Sequence, residues 1–168
     1  MTPRILVAGI GNIFLGDDAF GCEVIQRILC RSLPNYVRVE DFGIRGFDLA
    51  YALMEHYEAV ILVDATPRGG QPGTLYTIEP DLSALDDTGP AEMIVATHGM
   101  NPMKVLAMAK ALGGEPKRIL LIGCEPMPSD EERMGLSEPV EAAIDEAVGM
   151  VESLIARITG DQTATVAG

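Results

Sequence analysis

Residues 9–21 read Gly9-Ile10-Gly11-Asn12-Ile13-Phe14-Leu15-Gly16-Asp17-Asp18-Ala19-Phe20-Gly21, a glycine-rich turn that carries two adjacent carboxylates. The apolar run Ile5-Leu6-Val7-Ala8 precedes this turn and predicts a buried strand, and an amphipathic helix is expected to follow. A glycine turn between a strand and a helix often binds phosphate, because its free backbone N–H groups point at the anion. Asp17 and Asp18 stand where that anion would lie, so the charge of this loop favours a cation.

Strand and helix patterns alternate along the rest of the chain. Apolar or β-branched runs predict further strands over residues 36–40, 59–63, 74–78 and 118–123, with 74–78 at an edge. Helical spacing predicts helices over about 18–31, 47–56 and 101–112, and a long last helix from 137. Residues 80–97 are expected to form a surface loop. We expect an apolar stripe on the first helix that reaches Leu29, and a helix cap from Asp17 or Asp18.

This alternation predicts an α/β fold, a five-stranded, mostly parallel sheet sandwiched between helices (phosphorylase/hydrolase-like). One domain is expected over residues 1–159, followed by a flexible tail over residues 160–168. The length of 168 residues and the hydrophobic content of 48% suit one well-formed core.

The net charge of −13 argues against nucleic acid as the main partner, because binding to a polyanion is driven by basic patches. Three cysteines without a CxxC pair indicate a reducing compartment. No secretory signal is visible, and no apolar run approaches the roughly 20 residues of a membrane span. We therefore expect a cytoplasmic monomer that binds neither nucleic acid nor membrane.

Three side chains that can bind a metal follow the ends of predicted strands. Asp18 comes after the first strand, Asp64 ends the third, and His98 precedes the helix that starts near residue 101. Ligands of such sheets bind outside the carboxyl ends of the strands, so these residues can converge. Two carboxylates and an imidazole suit a divalent ion such as Ni²⁺ or Zn²⁺. Taken singly, an aspartate at a strand end is more often a turn or cap residue, and a lone histidine is more often a satisfied surface or core residue than a ligand.

Two other kinds of site remain open on the residues alone. Glu40 and Asp41 resemble the ribose-binding acid of a dinucleotide site, but Phe14 replaces the third glycine of GxGxxG, and the paired aspartates oppose phosphate. Cys124 at the end of the fifth strand is either a nucleophile with His98 as its base or a small buried residue. The HExxH and GxSxG motifs are absent.

Several motifs, in order, resemble the [NiFe]-hydrogenase maturation endopeptidases. The likeness covers about residues 4–158. Its first motif is the turn from Gly9 to Asp18, and its second is Val63-Asp64-Ala65. His98 falls where that family has its single histidine ligand, and residues 135–141 are similar to the start of its last helix.

The resemblance implies an endopeptidase that removes the C-terminal extension of a hydrogenase large-subunit precursor after nickel insertion. It assigns Asp18, Asp64 and His98 as the residues that contact the metal, and the nickel is carried by the precursor, although other divalent ions can occupy such a site. Asp17 is a candidate general base, as an alternative to its role as a cap. Ile44 departs from the Gly-Thr-x-Gly loop of many members and leaves the client hydrogenase open.

Two further functions remain as alternatives. A non-catalytic nickel-binding chaperone would use the same three ligands, and it is suggested by the lack of a recognisable nucleophile. A Rossmann-type nucleotide-binding module is suggested by Gly9-Ile10-Gly11 and by the acids after the second strand.

Overall fold

The computed structural model describes residues 4–81, 101–114, 117–128 and 134–166, with side chains as far as residue 160. His98 and most of the expected loop over residues 80–97 lie outside the described residues. No helix of the described part is long and apolar enough to cross a membrane.

The described chain forms a five-stranded sheet with helices on both faces. Its strands are β1 (Ile5–Ile10), β2 (Val37–Gly43), β3 (Ala59–Ala65), β4 (Leu75–Ile78) and β5 (Ile119–Cys124). A short 3₁₀ helix (Gly16–Ala19) comes before the helices α1 (Phe20–Leu29), α2 (Gly46–Leu53), α3 (Pro102–Ala111), α4 (Glu138–Ala142) and α5 (Ile144–Val166).

The sheet order is β2-β1-β3-β5-β4. All pairs are parallel except β4, which runs antiparallel to β5 at the edge. The predicted fold class and the edge position of the fourth strand are therefore confirmed.

Alternate residues of the central strands face two separate hydrophobic cores. One core joins Ile5 and Val7 of β1 to α1, α4 and α5, and the other joins Leu6 and Ala8 to α2 and α3. Both faces of the parallel strands are thus covered, which explains why their sequences are apolar throughout. The sheet is fixed from both sides, so the loops at the carboxyl ends of its strands have a rigid base.

The first helix differs from its prediction at both ends. The chain makes the 3₁₀ turn over Gly16–Ala19 before α1 begins at Phe20, and neither helix start has a side-chain cap, so the expected cap by Asp17 or Asp18 is wrong. Asp18 instead accepts a hydrogen bond from the Asn12 backbone of the same turn, and Asp17 accepts from Met127 in the loop after β5. Leu29, which was expected on the apolar stripe, is exposed at the last position of α1, where the helix ends.

Other boundaries also shift. β2 continues to Gly43, so Glu40 and Asp41 lie within the strand and not after it. The helix expected to end near residue 56 ends at Leu53. The predicted single last helix is divided at Ala143, where the backbone N–H bonds three residues back to Val140.

The end of the chain is helical farther than expected. α5 runs to Val166, so residues 160–166 continue the last helix. The sequence from Gly160 to Val166 contains no proline, and a single glycine costs a helix only about 1 kcal/mol. The flexibility of the last residues stays a prediction.

Candidate active site

The first two predicted ligands lie at the point where the strand order of the sheet reverses. From β1 the chain continues to β2 on one side of the sheet, whereas all later strands lie on the other side of β1, in the order β3-β5-β4. The crevice between β1 and β3 is therefore the topological switch point. Ligands of open α/β sheets bind outside the carboxyl ends of the strands at such a point. Asp18 follows β1 and Asp64 lies near the end of β3, and the 3₁₀ turn that holds Asp18 packs against β3.

The turn after β1 folds back on itself to present Asp18. The Asn12 backbone N–H donates to Oδ2 of Asp18 at 2.8 Å, and the Asn12 side chain accepts from the Phe14 N–H at 3.0 Å. Gly11 has a φ of +147°, and a Cβ atom there would collide with the Asp18 carbonyl oxygen. The glycine is therefore needed for the close approach that places the carboxylate.

Asp64 is a buried carboxylate that faces a second negative charge. Asp64 is only 7% exposed to solvent. Burial, and then the charge of Asp18, raises the pKa of the Asp64 carboxyl to about 8 from an ordinary value of 3.8, although a hydrogen bond from the Ala65 backbone acts in the opposite direction. None of the ion pairs found among the described residues involves Asp18 or Asp64. Asp18 therefore lies close enough to Asp64 for its charge to act on that carboxyl, and a shared role of the two residues in binding a metal stays a prediction.

The third predicted ligand, His98, lies outside the described residues. Within the described ranges, no group of three His, Cys, Asp or Glu side chains is arranged to hold a metal ion. The pair Asp18 and Asp64 supplies two oxygen donors, so a complete site needs a donor from elsewhere. Convergence of all three residues stays a prediction.

Asp17 joins three loops of the same sheet edge. Its carboxylate accepts hydrogen bonds from the Met127 backbone N–H at 2.8 Å, and from the Ser137 backbone N–H at 2.7 Å and hydroxyl at 2.8 Å. The 3₁₀ turn is thereby tied to the loop after β5 and to the start of α4. These contacts give Asp17 a structural role, since both of its oxygens are engaged. Its candidacy as a general base stays a prediction.

The turn after β1 is unsuited to phosphate. The backbone N–H groups of Gly11 and Asn12 donate to the Gly43 carbonyl and to Asp18, and those of Phe14 and Leu15 donate to Asn12. Phosphate binding at a glycine turn needs such N–H groups to be free. Asp18 occupies the place of the anion, as predicted, and the geometry disfavours the Rossmann-type alternative.

The two buried cysteines are unreactive in character. Cys124 is fully buried at the end of β5, and burial, followed by the charges of Asp17 and Glu125, raises the pKa of its thiol to about 11. Burial also raises the pKa of Cys22, whose thiol contacts the Gly11 carbonyl oxygen at 3.4 Å. A nucleophilic cysteine needs a lowered pKa, so Cys124 fits the alternative of a small buried residue.

Two residues at this edge of the sheet were not predicted from the sequence to take part in the site. Glu125 is buried directly after β5, where its carboxylate accepts from the Arg68 backbone N–H at 2.7 Å and from the Tyr76 hydroxyl at 3.3 Å. Asp64 was predicted because it is an acidic residue at the end of a strand, and the same criterion applies to Glu125. Ser137 had no comparable signal, because its partner Asp17 is 120 residues away in sequence.

A groove of about 320 Å³ opens beside the turn after β1. One wall is residues 11–14, and the other is residues 41–45 at the end of β2 and in the loop that follows it. We call it the loop groove. Cys22 lines it as well. Asn12 belongs to the groove and also donates to Asp18, so the groove adjoins the carboxylate pair.

Comparison with known proteins gives consistent matches. The hydrogenase maturation protease family matches residues 22–154. The chain is 34% identical over 157 residues to a hydrogenase expression/formation protein HupD from Rhizobium leguminosarum bv. viciae, covering 90% of this chain and 76% of the relative.

Two solved structures also match. The hydrogenase maturating endopeptidase HybD from E. coli aligns with a TM-score of 0.70 and 30% identity, over 92% of this chain and 93% of that one. A hydrogenase 2 maturation peptidase from a Thaumarchaeota archaeon aligns with a TM-score of 0.69 and 37% identity, over 91% and 98%.

Proposed function

The chain belongs to the hydrogenase maturation protease family and is therefore a peptidase, and we propose that it removes a C-terminal extension from a [NiFe]-hydrogenase large-subunit precursor after nickel insertion. In this proposal the nickel of the precursor is part of the substrate, and the enzyme recognises a precursor that is ready for cleavage by this nickel. Membership of a protease family decides against the alternative of a non-catalytic chaperone.

The observation that carries the proposal is that the buried carboxylate of Asp64 faces the charge of Asp18, which is half-buried. Two carboxylates at a buried sheet edge repel each other, and the lone ionised pair is costly in a medium of low dielectric. A divalent cation compensates both charges at once, and carboxylate oxygens together with an imidazole suit Ni²⁺. His98 is the proposed third donor, from the part of the chain outside the described residues.

The raised pKa of Asp64 explains how nickel can act as a recognition element. Near neutral pH the carboxyl of the free enzyme holds a proton, because its pKa is about 8. A cation that approaches Asp18 and Asp64 favours the ionised form and displaces this proton. A precursor with nickel gains that interaction, whereas a precursor without nickel leaves Asp64 protonated, gains no such interaction and is held less well.

The proposed role of Asp17 is to position Asp18. Its hydrogen bonds to Met127 and Ser137 fix the 3₁₀ turn against the neighbouring loops, so the adjacent Asp18 carboxylate has little freedom to move away from Asp64. Tight positioning of this kind matters because small displacements of a binding group reduce rates strongly.

The test is a cleavage assay on two forms of the precursor. The purified protein is incubated with nickel-loaded and with nickel-free large-subunit precursor, and the mass of the precursor is followed by mass spectrometry. We expect only the nickel-loaded form to lose a C-terminal peptide. Equal cleavage of both forms would refute recognition through nickel, and binding without any loss of mass would refute the peptidase activity on this client.

Matched variants test the ligand assignment. His98→Ala and Asp64→Asn are each expected to lower kcat/KM by about 100-fold or more, since removal of a metal-contacting group costs at least as much as removal of its supporting residues. His56→Ala and Asp145→Asn are the controls, because both residues are exposed and lie outside the site. Unchanged cleavage by His98→Ala would remove His98 from the proposed site.

A further inference from the structure

The loop groove carries a cluster of exposed apolar side chains. Ile13, Phe14 and Ile44 line it and are 50%, 61% and 62% exposed. Leu15, on the turn after β1, and Phe47, in the first turn of α2, are also exposed large hydrophobic residues. Apolar groups that gather around one concavity, in place of being scattered singly, mark a site of interaction. The groove therefore presents a surface that is stabilised when a partner covers it.

The charged residues of the groove are already paired. The Arg45 guanidinium donates to the Asp41 carbonyl at 2.7 Å and to the Asp48 carboxylate at 3.0 Å. The Asp41 carboxylate accepts from the Gly43 backbone at 2.9 Å and from the Gln26 side chain at 3.5 Å. A charged ligand would find no unpaired partner in these residues. The groove therefore suits an uncharged, apolar segment.

The position of the groove indicates which molecule supplies that segment. Asn12 lines the groove and also donates to Asp18, so a chain that lies in the groove lies next to the turn that holds Asp18. A peptidase must hold its substrate next to the site that cuts it. A second copy of this chain is a poor occupant by comparison, because two molecules with a net charge of −13 each repel one another.

We propose that the loop groove docks an uncharged, apolar segment of the large-subunit precursor, with Phe14 and Ile44 as its main contacts. This inference rests on the proposed function and adds the surface by which the client is held. A volume of about 320 Å³ lies at the lower end of the range for ligand pockets and accommodates a few side chains. Ile44 then contributes to the choice of client through its apolar contact.

The first experiment compares single aspartate substitutions in the cleavage assay. Phe14→Asp and Ile44→Asp each place a charge in the groove, and Leu29→Asp places the same charge on an exposed apolar residue at the far end of α1. We expect KM for the nickel-loaded precursor to rise about 10-fold or more in the groove variants, with kcat within about 2-fold, because uniform binding energy is lost. Wild-type kinetics in both groove variants would overturn the proposal.

The second experiment reads docking without cleavage. A photo-crosslinking p-benzoylphenylalanine replaces Ile44 or, as the control, Leu29, and the crosslinked products with nickel-loaded precursor are mapped by mass spectrometry. We expect a crosslink from position 44 to the precursor and none from position 29. A crosslink from position 44 to residues 82–100 of the same chain, to a second copy, or to nothing would overturn the proposal. A crosslink to a precursor that is then not cleaved would instead refute the proposed function and leave the docking surface standing.

Discussion

Replacement of Asp64 by asparagine is expected to stabilise the metal-free protein above neutral pH and to leave it almost unchanged near pH 4. Asparagine keeps the shape of the side chain and an oxygen that can accept the backbone hydrogen bond, but it removes the charge. The folded carboxyl has a pKa of about 8, whereas the unfolded one has a pKa near 3.8. Between about pH 4 and pH 8, Asp64 therefore holds a proton in the folded state but has lost it in the unfolded state.

The sign and size of the effect follow from this difference in pKa. For a group whose folded pKa is raised, the stabilising contribution is complete below the unfolded pKa and is lost as pH rises through the folded pKa. The free energy of unfolding of the wild type should thus fall between about pH 4 and pH 8. A shift of about four units, at about 1.4 kcal/mol each, corresponds to a loss on the order of 5 kcal/mol. The asparagine variant should not show this loss.

The assay is urea unfolding followed by far-ultraviolet circular dichroism, with chelator present, at several pH values from about 4 to 9. The quantity of interest is the difference in unfolding free energy between variant and wild type at each pH. Asp145→Asn is the control, because that carboxylate is 84% exposed in an ion pair with Arg27 and should change stability by less than about 1 kcal/mol.

A stability difference for Asp64→Asn that is the same at about pH 4 and pH 9 would refute the reasoning. So would destabilisation of the variant at high pH. The same substitution is expected to lower kcat/KM for the nickel-loaded precursor, so its effects on stability and on activity have opposite signs. A variant that gains stability and loses activity would show that the buried charge is retained for its role in the site.

Two further predictions concern the turn after β1. Gly11→Ala should lower stability by about 2 kcal/mol or more in thermal unfolding, because its φ is positive and the added methyl group collides with the Asp18 carbonyl; a melting temperature equal to wild type would contradict the close approach. Ser137→Ala should cost about 1 kcal/mol by urea unfolding, since one hydrogen bond to Asp17 is lost while the backbone bond remains. If Ser137→Ala costs no more in the wild type than in an Asp17→Ala background, the bond does not stabilise the fold.

The strands and their layers could be predicted from the sequence because each central strand is a continuous apolar run. Such a run has one stable environment, a parallel sheet covered on both faces, and alternate residues such as Ile5 and Leu6 then face different helix layers. The approach of Asp18 to Asp64 could be predicted for a related reason. Parallel strands end at a common edge, so acids that follow them converge without any knowledge of side-chain contacts.

The bonds of Asp17 could not be predicted in the same way. Local rules favour an aspartate at the start of a helix as a cap, but here the partners Met127 and Ser137 are 110 and 120 residues away. The backbone enters α1 through a 3₁₀ turn, which directs the carboxylate away from the helix start. Contacts between residues so far apart in sequence depend on how the loops pack against one another in the folded protein. The spacing of residues within one helix or strand does not predict them.

In the proposed recognition of the client, the carboxylate pair contacts the nickel through charge, and the loop groove binds an apolar segment of the precursor. Near neutral pH a free cation must displace the proton of Asp64 before it can bind, since the pKa of that carboxyl is about 8. A precursor held in the groove by Phe14 and Ile44 presents its metal at a high effective concentration, which offsets that cost. Neither feature alone then selects a nickel-loaded client. On this argument, loss of the groove contacts should weaken discrimination between free nickel and nickel in the precursor, even though the carboxylates are untouched.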